Sequence, residues 1–191
     1  MKKTIAIGVL TAGLLAGGIY GSLQWAAVAR QEGVDRALTE TAHWAPAARL
    51  SARRMVERYG PPDQVSPFRL RWDEPWPWKR IVVQDEPRAP LEQVLAYPVP
   101  PDKAEALRRF PHGLRVYADE GALGARSDSE DLNRLSLNLA ADIVSGRTTP
   151  EAANSFYVRT TRLRAAGKSS LTLQRLLVPL RVAPDNGYPV P

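Results

Sequence analysis

Hydrophobic and polar residues recur with two different periods along the chain, and these periods predict both helices and strands. From Pro46 to Tyr59, apolar residues return every three or four positions, which is the spacing of a helix with one buried face. Farther along, Phe68, Leu70 and Trp72 alternate with charged residues, which is the period of a half-buried strand. The chain is therefore predicted to pass from a helix into a β-sheet.

The remaining pattern predicts an α+β protein. Asp119-Glu120-Gly121 separates two short alternating segments and is typical of a hairpin turn. Strands that follow one another through short turns pair antiparallel, and helices grouped at the ends of the order cover one sheet face. We expect an antiparallel sheet of about five strands with helices packed on one face, preceded by an N-terminal signal or anchor helix. Besides 46–59, the predicted helices are 102–110, 127–145 and 149–166, and the predicted strands are 68–73, 80–84, 91–99, 114–118 and 122–126.

The longest predicted helix starts with an acidic run that we interpret as a helix cap. Ser127 is followed three residues later by Glu130, which is the pattern of a capping box. A calcium loop is the alternative, but the alternating oxygen ligands and the central glycine of such a loop are missing. On the same helix, Asn138 and Asp142 lie one turn apart. We expect them on a solvated face, with a polar cleft as the alternative.

The first 29 residues have the pattern of an export signal. Two lysines open the chain, and the uncharged run from Thr4 to Ala29 that follows is long enough to cross a bilayer. Ala27-Val28-Ala29 matches the small-x-small pattern at which signal peptidase cuts. The alternative is an uncleaved anchor, because glycines recur every four residues between positions 13 and 21, as on tightly packed transmembrane helices. Both interpretations place the rest of the chain outside the cytoplasm.

Charge and proline content divide the remainder of the chain. The net charge of +6 is concentrated at the C-terminus, because residues 158–191 have six Lys and Arg against one acidic residue, whereas residues 30–157 have 18 against 19. Nucleic-acid binding is not expected from a folded part that is close to neutral. The expected boundaries are 1–29 for the signal peptide or membrane anchor, 30–45 for a connector, 46–167 for the α+β domain and 168–191 for a basic, Pro-rich tail.

The composition limits the chemistry that the protein can perform. The chain has no cysteine and only two histidines, which excludes disulfides, a cysteine nucleophile, thiolate metal sites and a histidine-rich metal centre. A glycine-flanked nucleophile and a phosphate-binding loop are also missing from the sequence. We therefore expect no catalytic residue, no metal site and no cofactor. The sequence favours a non-enzymatic protein and leaves the question of an activity open.

A tryptophan-rich turn provides the candidate ligand-binding residues. Three of the five tryptophans fall between Leu70 and Arg80, together with two prolines. Exposed indoles beside guanidinium groups can bind sugar rings, proline-rich peptides or a membrane interface. The alternative is structural: Trp72 fills the core while the other two tryptophans close the end of a hairpin. The candidate contacts are Trp76, Trp78, Lys79 and Arg80.

Several separate blocks of the sequence resemble a family of exported bacterial proteins of unknown function. The resemblance covers roughly residues 50–160, about the size of one domain. It implies export and a single domain, and it assigns no site residue. The blocks are residues 54–63 (RMVERYGPPD), 77–80 (PWKR), 91–94 (LEQV) together with Tyr97, and 137–146 (LNLAADIVSG).

These observations lead to one expected function and one alternative. We expect a non-enzymatic binding or accessory module of the bacterial envelope, located in the periplasm or held at the inner membrane by its N-terminal helix. Its expected partner is another envelope protein, the cell wall or a membrane surface. The alternative is a small-molecule- or glycan-binding protein, or a hydrolase, with a cleft in which Trp76, Trp78 and Arg80 contact the ligand.

Overall fold

A computed structural model describes the backbone of residues 10–179 and the side chains of residues 24–179. This part of the chain contains six α-helices, six β-strands and three short 310 turns. The helices are α1 (Leu10–Glu40), α2 (Pro46–Tyr59), α3 (Ala104–Arg108), α4 (Glu130–Val144), α5 (Pro150–Ala165) and α6 (Leu171–Gln174). The strands are β1 (Gln64–Ser66), β2 (Arg69–Asp73), β3 (Arg80–Gln84), β4 (Leu91–Leu95), β5 (Leu114–Tyr117) and β6 (Ala122–Ser127).

The strands form one antiparallel sheet in the order β1-β2-β3-β4-β6-β5. The predicted α+β class and the antiparallel pairing are confirmed, but the sheet has six strands instead of about five. The strand that the pattern missed is β1, whose three residues include only one apolar side chain, Val65. Three residues are too few for an alternation to be recognised. The predicted hairpin at residues 119–121 is confirmed between β5 and β6.

The two faces of the sheet have different surroundings. Leu70, Trp72 and Ile81 point into the hydrophobic core, which also contains buried residues of α2 and α4. Arg71 and Arg80 occupy the alternating positions and lie on the opposite face. Successive residues of β2 and β3 therefore alternate between the face that packs on the helices and the outer face.

The predicted helices α2 and α4 form for different reasons. Pro46 occupies the first turn of α2, and Ala48, Ala52 and Met55 on one face are buried, as the helical spacing predicts. In α4, every residue from 133 to 141 is buried, because this helix contacts the sheet as well as α3, α5 and α6. The polar residues between 133 and 141 are therefore also inside the protein. Among them is Asn138, for which a solvated face was expected.

The packed region begins before the predicted domain start at residue 46. The predicted connector, 30–45, consists of the end of α1 and a 310 turn at Thr41–His43, and both Ala37 and Trp44 are buried in the core. Gly60 ends α2 with a φ of 82°, and a Cβ at this position would lie 2.7 Å from the guanidinium of Arg30. Packing of α1 near α2 therefore reaches back to residue 30.

The predicted segments at the two ends lie partly outside the described residues. The parts that lie outside are residues 1–9 of the predicted signal peptide or anchor and residues 180–191 of the predicted tail. Among the described residues, no helix is both long and apolar enough to cross a membrane. The rest of the predicted tail is folded, because Leu173 and Val178 are buried and α6 contacts α4. The folded part therefore extends beyond the predicted domain end at residue 167.

The predicted capping box at Ser127 is wrong. Ser129 is the N-cap residue of α4, whereas Ser127 is the last residue of β6. The hydroxyl of Ser127 lies 2.7 Å from Oδ1 of Asn133 and bonds to this buried side chain. Glu130 is therefore the first residue of α4, and its carboxylate forms ion pairs with arginine side chains.

Candidate functional site

A groove with a volume of about 430 Å³ lies where α2 and α4 approach the loop between β2 and β3. Its lining comes from four places in the chain: the end of α2, the loop Trp76–Trp78, the first turns of α4 and the segment Gln174–Leu176. We call this cavity the Trp76 groove. Residues that are far apart in sequence thus line one cavity.

The loop between β2 and β3 gives its two tryptophans different roles. Backbone hydrogen bonds close the loop as a tight turn. Trp78 is buried, and its indole Nε1 donates to the hydroxyl of Tyr59 at 2.8 Å. Trp76 is half-buried beside Pro77, and both line the groove. Trp78 therefore fixes the loop to α2, whereas Trp76 offers a ligand an aromatic surface.

Glu130 is the central charge of the groove and joins α4 to α2. The hydroxyl of Tyr59 donates to its Oε1 at 2.6 Å. Its Oε2 lies 2.9 Å from Arg134 and 3.2 Å from Arg58. The side chains of Glu130 and Arg134 are only 10% and 11% exposed, whereas that of Arg58 is 39% exposed. The partners of Glu130 supply the pairing and hydrogen bonds that a buried carboxylate needs to remain charged.

The phenol of Tyr59 stays protonated and acts as a donor to Glu130. Burial raises the pKa of Tyr59 far above its ordinary value, and the neighbouring carboxylate raises it further. The hydroxyl also accepts the hydrogen bond from Trp78, so its donor and an acceptor position are both in use. The series Trp78, Tyr59 and Glu130 therefore connects the tryptophan loop to α4.

A second cavity, of about 410 Å³, adjoins the groove and shares Arg58, Glu130 and Arg134 with it. This cavity is also lined by Asp131, whose carboxylate lies 2.5 Å from Arg164. Burial alone would raise the pKa of Asp131, but hydrogen bonds from Arg164 and other neighbours hold it below its ordinary value. Four carboxylates line the second cavity and one lines the groove, so the second cavity is the more acidic of the two.

The Trp76 groove has an excess of positive charge. Arg58, Arg134 and Arg175 line it against a single carboxylate, that of Glu130. Arg175 is exposed, and no acidic side chain of the described residues forms an ion pair with it. The groove therefore combines an aromatic surface, a buried ion-pair centre and one arginine that is open to a ligand.

The four residues predicted to bind a ligand lie in two different places. Trp76 and Trp78 line the groove, but Lys79 and Arg80 do not. Both basic side chains pair with Glu120, Lys79 at 3.5 Å and Arg80 at 2.5 Å. Arg80 also lies over the ring of Tyr117, with its guanidinium carbon 4.5 Å from the ring centroid. Strand geometry explains the position of Arg80, because Ile81 points into the core and its neighbour in β3 must then point to the outer face.

Sequence reasoning did not single out several groove residues. The sequence pattern does not distinguish Arg58 from the other arginines of α2, and it predicts that Glu130 is a capping residue. The spacing of Glu130 and Arg134 was the available signal, because residues four apart on a helix are neighbours and carry opposite charges here. Nothing in the local pattern indicated that the segment 174–176 returns to this place.

His112 is held by a stacked tyrosine ring and a hydrogen bond. His112 stacks on Tyr157 with ring centroids 3.6 Å apart, and its Nε2 lies 2.8 Å from Oδ1 of Asn154. Burial lowers the pKa of His112, although the hydrogen bond to Asn154 opposes this effect. Within the part of the chain that the structure describes, no three His, Asp or Glu side chains are grouped so that they could hold a metal ion.

Comparisons of the chain with family models, with curated proteins and with solved structures found no match.

Proposed function

We propose that the protein is a non-enzymatic binding module of the bacterial envelope and that the Trp76 groove holds its ligand. The observation that carries the proposal is that Trp76 and Pro77 line one cavity together with three arginines and one buried carboxylate. An apolar surface with a few fixed polar groups is the usual composition of a binding site. Arginine and tryptophan are also the residues that most often dominate binding energy.

The ion-pair centre supports binding because its groups are already engaged. Both oxygens of Glu130 have partners, and its neighbour Tyr59 is held in the protonated state. A general acid or base needs a proton that it can exchange with a substrate. Glu130 instead holds two guanidinium groups in place, which prepares them to meet a ligand.

The charge of the groove indicates the chemistry of the ligand. A partner that combines carboxylates with proline or aliphatic side chains would place its acidic groups near Arg175 and Arg58 and its apolar groups on Trp76. We propose that such an acidic, proline-containing segment belongs to another envelope protein. An acidic cell-wall glycan is the competing ligand, because an indole can also stack on a sugar ring.

The envelope location is the second part of the proposal. It is supported by the basic start, the uncharged run and the small-x-small sequence of residues 1–29. The resemblance of residues 50–160 to exported bacterial proteins agrees with it. Fractionation of native cells, followed by the intact mass of the recovered protein, tests this part. Recovery in the cytoplasm with residues 1–29 present would contradict it.

The binding proposal is tested with two defined probes and calorimetry. The first probe is a hexapeptide with blocked termini, in which glutamate, proline and leucine are repeated. The second probe is a disaccharide peptide from the cell wall. We expect the hexapeptide to bind, and its glutamine analogue to bind much more weakly. Trp76→Ala and Arg175→Ala should each lower the affinity at least tenfold, roughly 1.4 kcal/mol or more.

Two exposed residues outside the groove provide matched controls. Phe68→Ala removes an exposed aromatic ring beside the first residue of β2, and Arg69→Ala removes an exposed guanidinium of the outer sheet face. Both should leave the affinity unchanged. Binding of the cell-wall probe alone, with the same loss in Trp76→Ala, would change the ligand class to a glycan. Failure of both probes, or equal losses in the controls, would reject the groove as the site.

A further inference from the structure

The segment after α5 is attached to α4 mainly through its own backbone. We call residues 170–178, which include α6, the strap. Nδ2 of Asn138 donates to the carbonyl oxygens of Thr172 and Arg175 at 3.0 and 2.8 Å. Oδ1 of Asn138 accepts from the backbone N–H of Leu177 at 2.7 Å. One buried side chain therefore satisfies three backbone groups of the strap.

Arg134 is a second attachment point and also belongs to the groove. Its Nη1 donates to the carbonyl oxygens of Leu173 and Gln174 at 3.2 and 3.1 Å. Its Nη2 lies 2.9 Å from Oε2 of Glu130. The same guanidinium thus binds the strap with one nitrogen and the central carboxylate of the groove with another. A movement of the strap must therefore disturb Arg134, and a displacement of Arg134 must loosen the strap.

The strap is itself one wall of the groove. Gln174, Arg175 and Leu176 line the cavity, while Leu173 and Val178 on either side of them are buried. Arg175, which has no ion pair with any described residue, reaches the groove only while the strap is in place. The backbone of the strap is held by few hydrogen bonds, whereas strands and long helices are held by many. Short segments of this kind open at a lower free energy than the core.

We infer that attachment of the strap to α4 is coupled to binding of a ligand in the Trp76 groove. Asn138 is the positioning residue for this coupling. The inference rests on the proposed function of the groove. Asn138 does not line the cavity, but it sets the position of the wall that carries Arg175. A ligand that contacts this wall stabilises the closed strap. Where the strap is closed in only a fraction of the molecules, the apparent affinity falls to that fraction of the affinity of the closed form.

The experiment combines hydrogen exchange with calorimetry on the full chain. Four proteins are compared: the wild type, Asn138→Ala, Glu130→Gln and, as a matched control, Asn154→Ala. Without ligand, we expect exchange of the strap amides, Leu177 above all, to be at least tenfold faster in Asn138→Ala. In Glu130→Gln it should be several-fold faster, because Arg134 loses a charged partner. Core strands exchange only on global unfolding, so exchange in β3 measures any loss of overall stability, and the strap rates are compared with it in each variant. Asn154→Ala should behave as the wild type.

The hexapeptide probe then tests the coupling to binding. It should slow exchange of the strap in the wild type, and Asn138→Ala should weaken its binding at least fivefold although no groove side chain is changed. The inference is overturned if strap exchange is unchanged in Glu130→Gln, or if Asn138→Ala frees the strap without any loss of affinity. If the wild type binds no probe, the proposed function fails. The Glu130→Gln exchange rates then still decide whether groove and strap are coupled.

Discussion

Two carboxylates on opposite sides of the sheet have similar partners but different surroundings. Glu130 pairs with Arg58 and Arg134 beside the core, and its side chain is 10% exposed. Glu120 pairs with Lys79 and Arg80 at the outer face, and its side chain is 37% exposed. Each carboxylate also has a tyrosine nearby, but only Tyr59 donates to its carboxylate, because Tyr117 donates to Glu92 instead. One ion-pair centre is therefore buried, and the other is exposed.

The comparison shows that the same pairing has different consequences in different surroundings. Water screens and replaces the partners of an exposed carboxylate, so an exposed ion pair contributes little to stability. A buried carboxylate has no such replacement, and its removal leaves a buried cation without a partner. The buried centre is therefore expected to hold the structure of the groove, while the outer centre fixes only the local position of Lys79 and Arg80.

The largest effect is expected from removing the two carboxylates in parallel. Glu130→Ala should lower the free energy of unfolding by about 3–5 kcal/mol, because Arg134 stays buried and loses its carboxylate. Glu120→Ala should lower it much less, because water replaces the lost partner of Lys79 and Arg80. Urea unfolding followed by circular dichroism at neutral pH measures both. Equal losses in the two variants would contradict the distinction between the centres.

A smaller effect is expected from the two tyrosines. Tyr59→Phe should cost about 2 kcal/mol, because the buried indole N–H of Trp78 loses its acceptor and Glu130 loses a donor. Tyr117→Phe should cost less, because Tyr117 is only half-buried and its loss leaves no buried indole N–H without an acceptor. Chemical denaturation of both variants against the wild type provides the measurement. A larger loss in Tyr117→Phe would reverse the expected order of the two regions.

The smallest effect concerns acid titration. The pKa of Glu120 is lowered by its hydrogen bond from Arg80, and the pKa of Asp131, beside the groove, is lowered by Arg164 against the effect of burial. A carboxylate with a lowered pKa stabilises the folded state above its unfolded pKa, near 4.5 for Glu and 3.8 for Asp. This stability is lost as the pH falls through the folded pKa.

Stability profiles from pH 6 to pH 2.5 test the acid titration. Asp131→Asn should flatten the decline of stability below about pH 4, where the ordinary pKa of an aspartate lies. Glu120→Gln should flatten it less, because its carboxylate is more exposed. If both variants flattened the decline to the same extent, the expected difference between the more buried and the more exposed carboxylate would be wrong.

The sequence predicted those parts of the fold that depend on local periodicity. The helical spacing from Pro46, the alternation around Leu70 and the turn at Gly121 each contain enough consecutive residues to show a period. β1 is too short to show one, and α1 continues to Glu40, into the residues in which a connector was expected. The antiparallel class followed from the order of the elements and was therefore predictable.

The site was less predictable because it is assembled from distant parts of the chain. Trp76 and Trp78 were conspicuous by composition, and both line the groove. Glu130, in contrast, was explained locally as a cap, and its true partners on α2 are more than 70 residues away. Asn138 was expected on a solvated face, but it is buried and binds the strap. Tertiary packing decides the position of the strap, so the local pattern could not predict this contact. Local patterns carry no information about such contacts.

The end of α1 near Arg30 has a consequence for maturation of the protein. A signal peptidase cut after Ala29 would fall among exposed residues, directly before the arginine that lies against Gly60. It would leave a short helix that is marginal by itself in water, but Ala37 anchors this helix in the core. Processing would therefore remove none of the buried contacts described above. The precursor and the mature protein are expected to share one folded domain and nearly the same melting temperature.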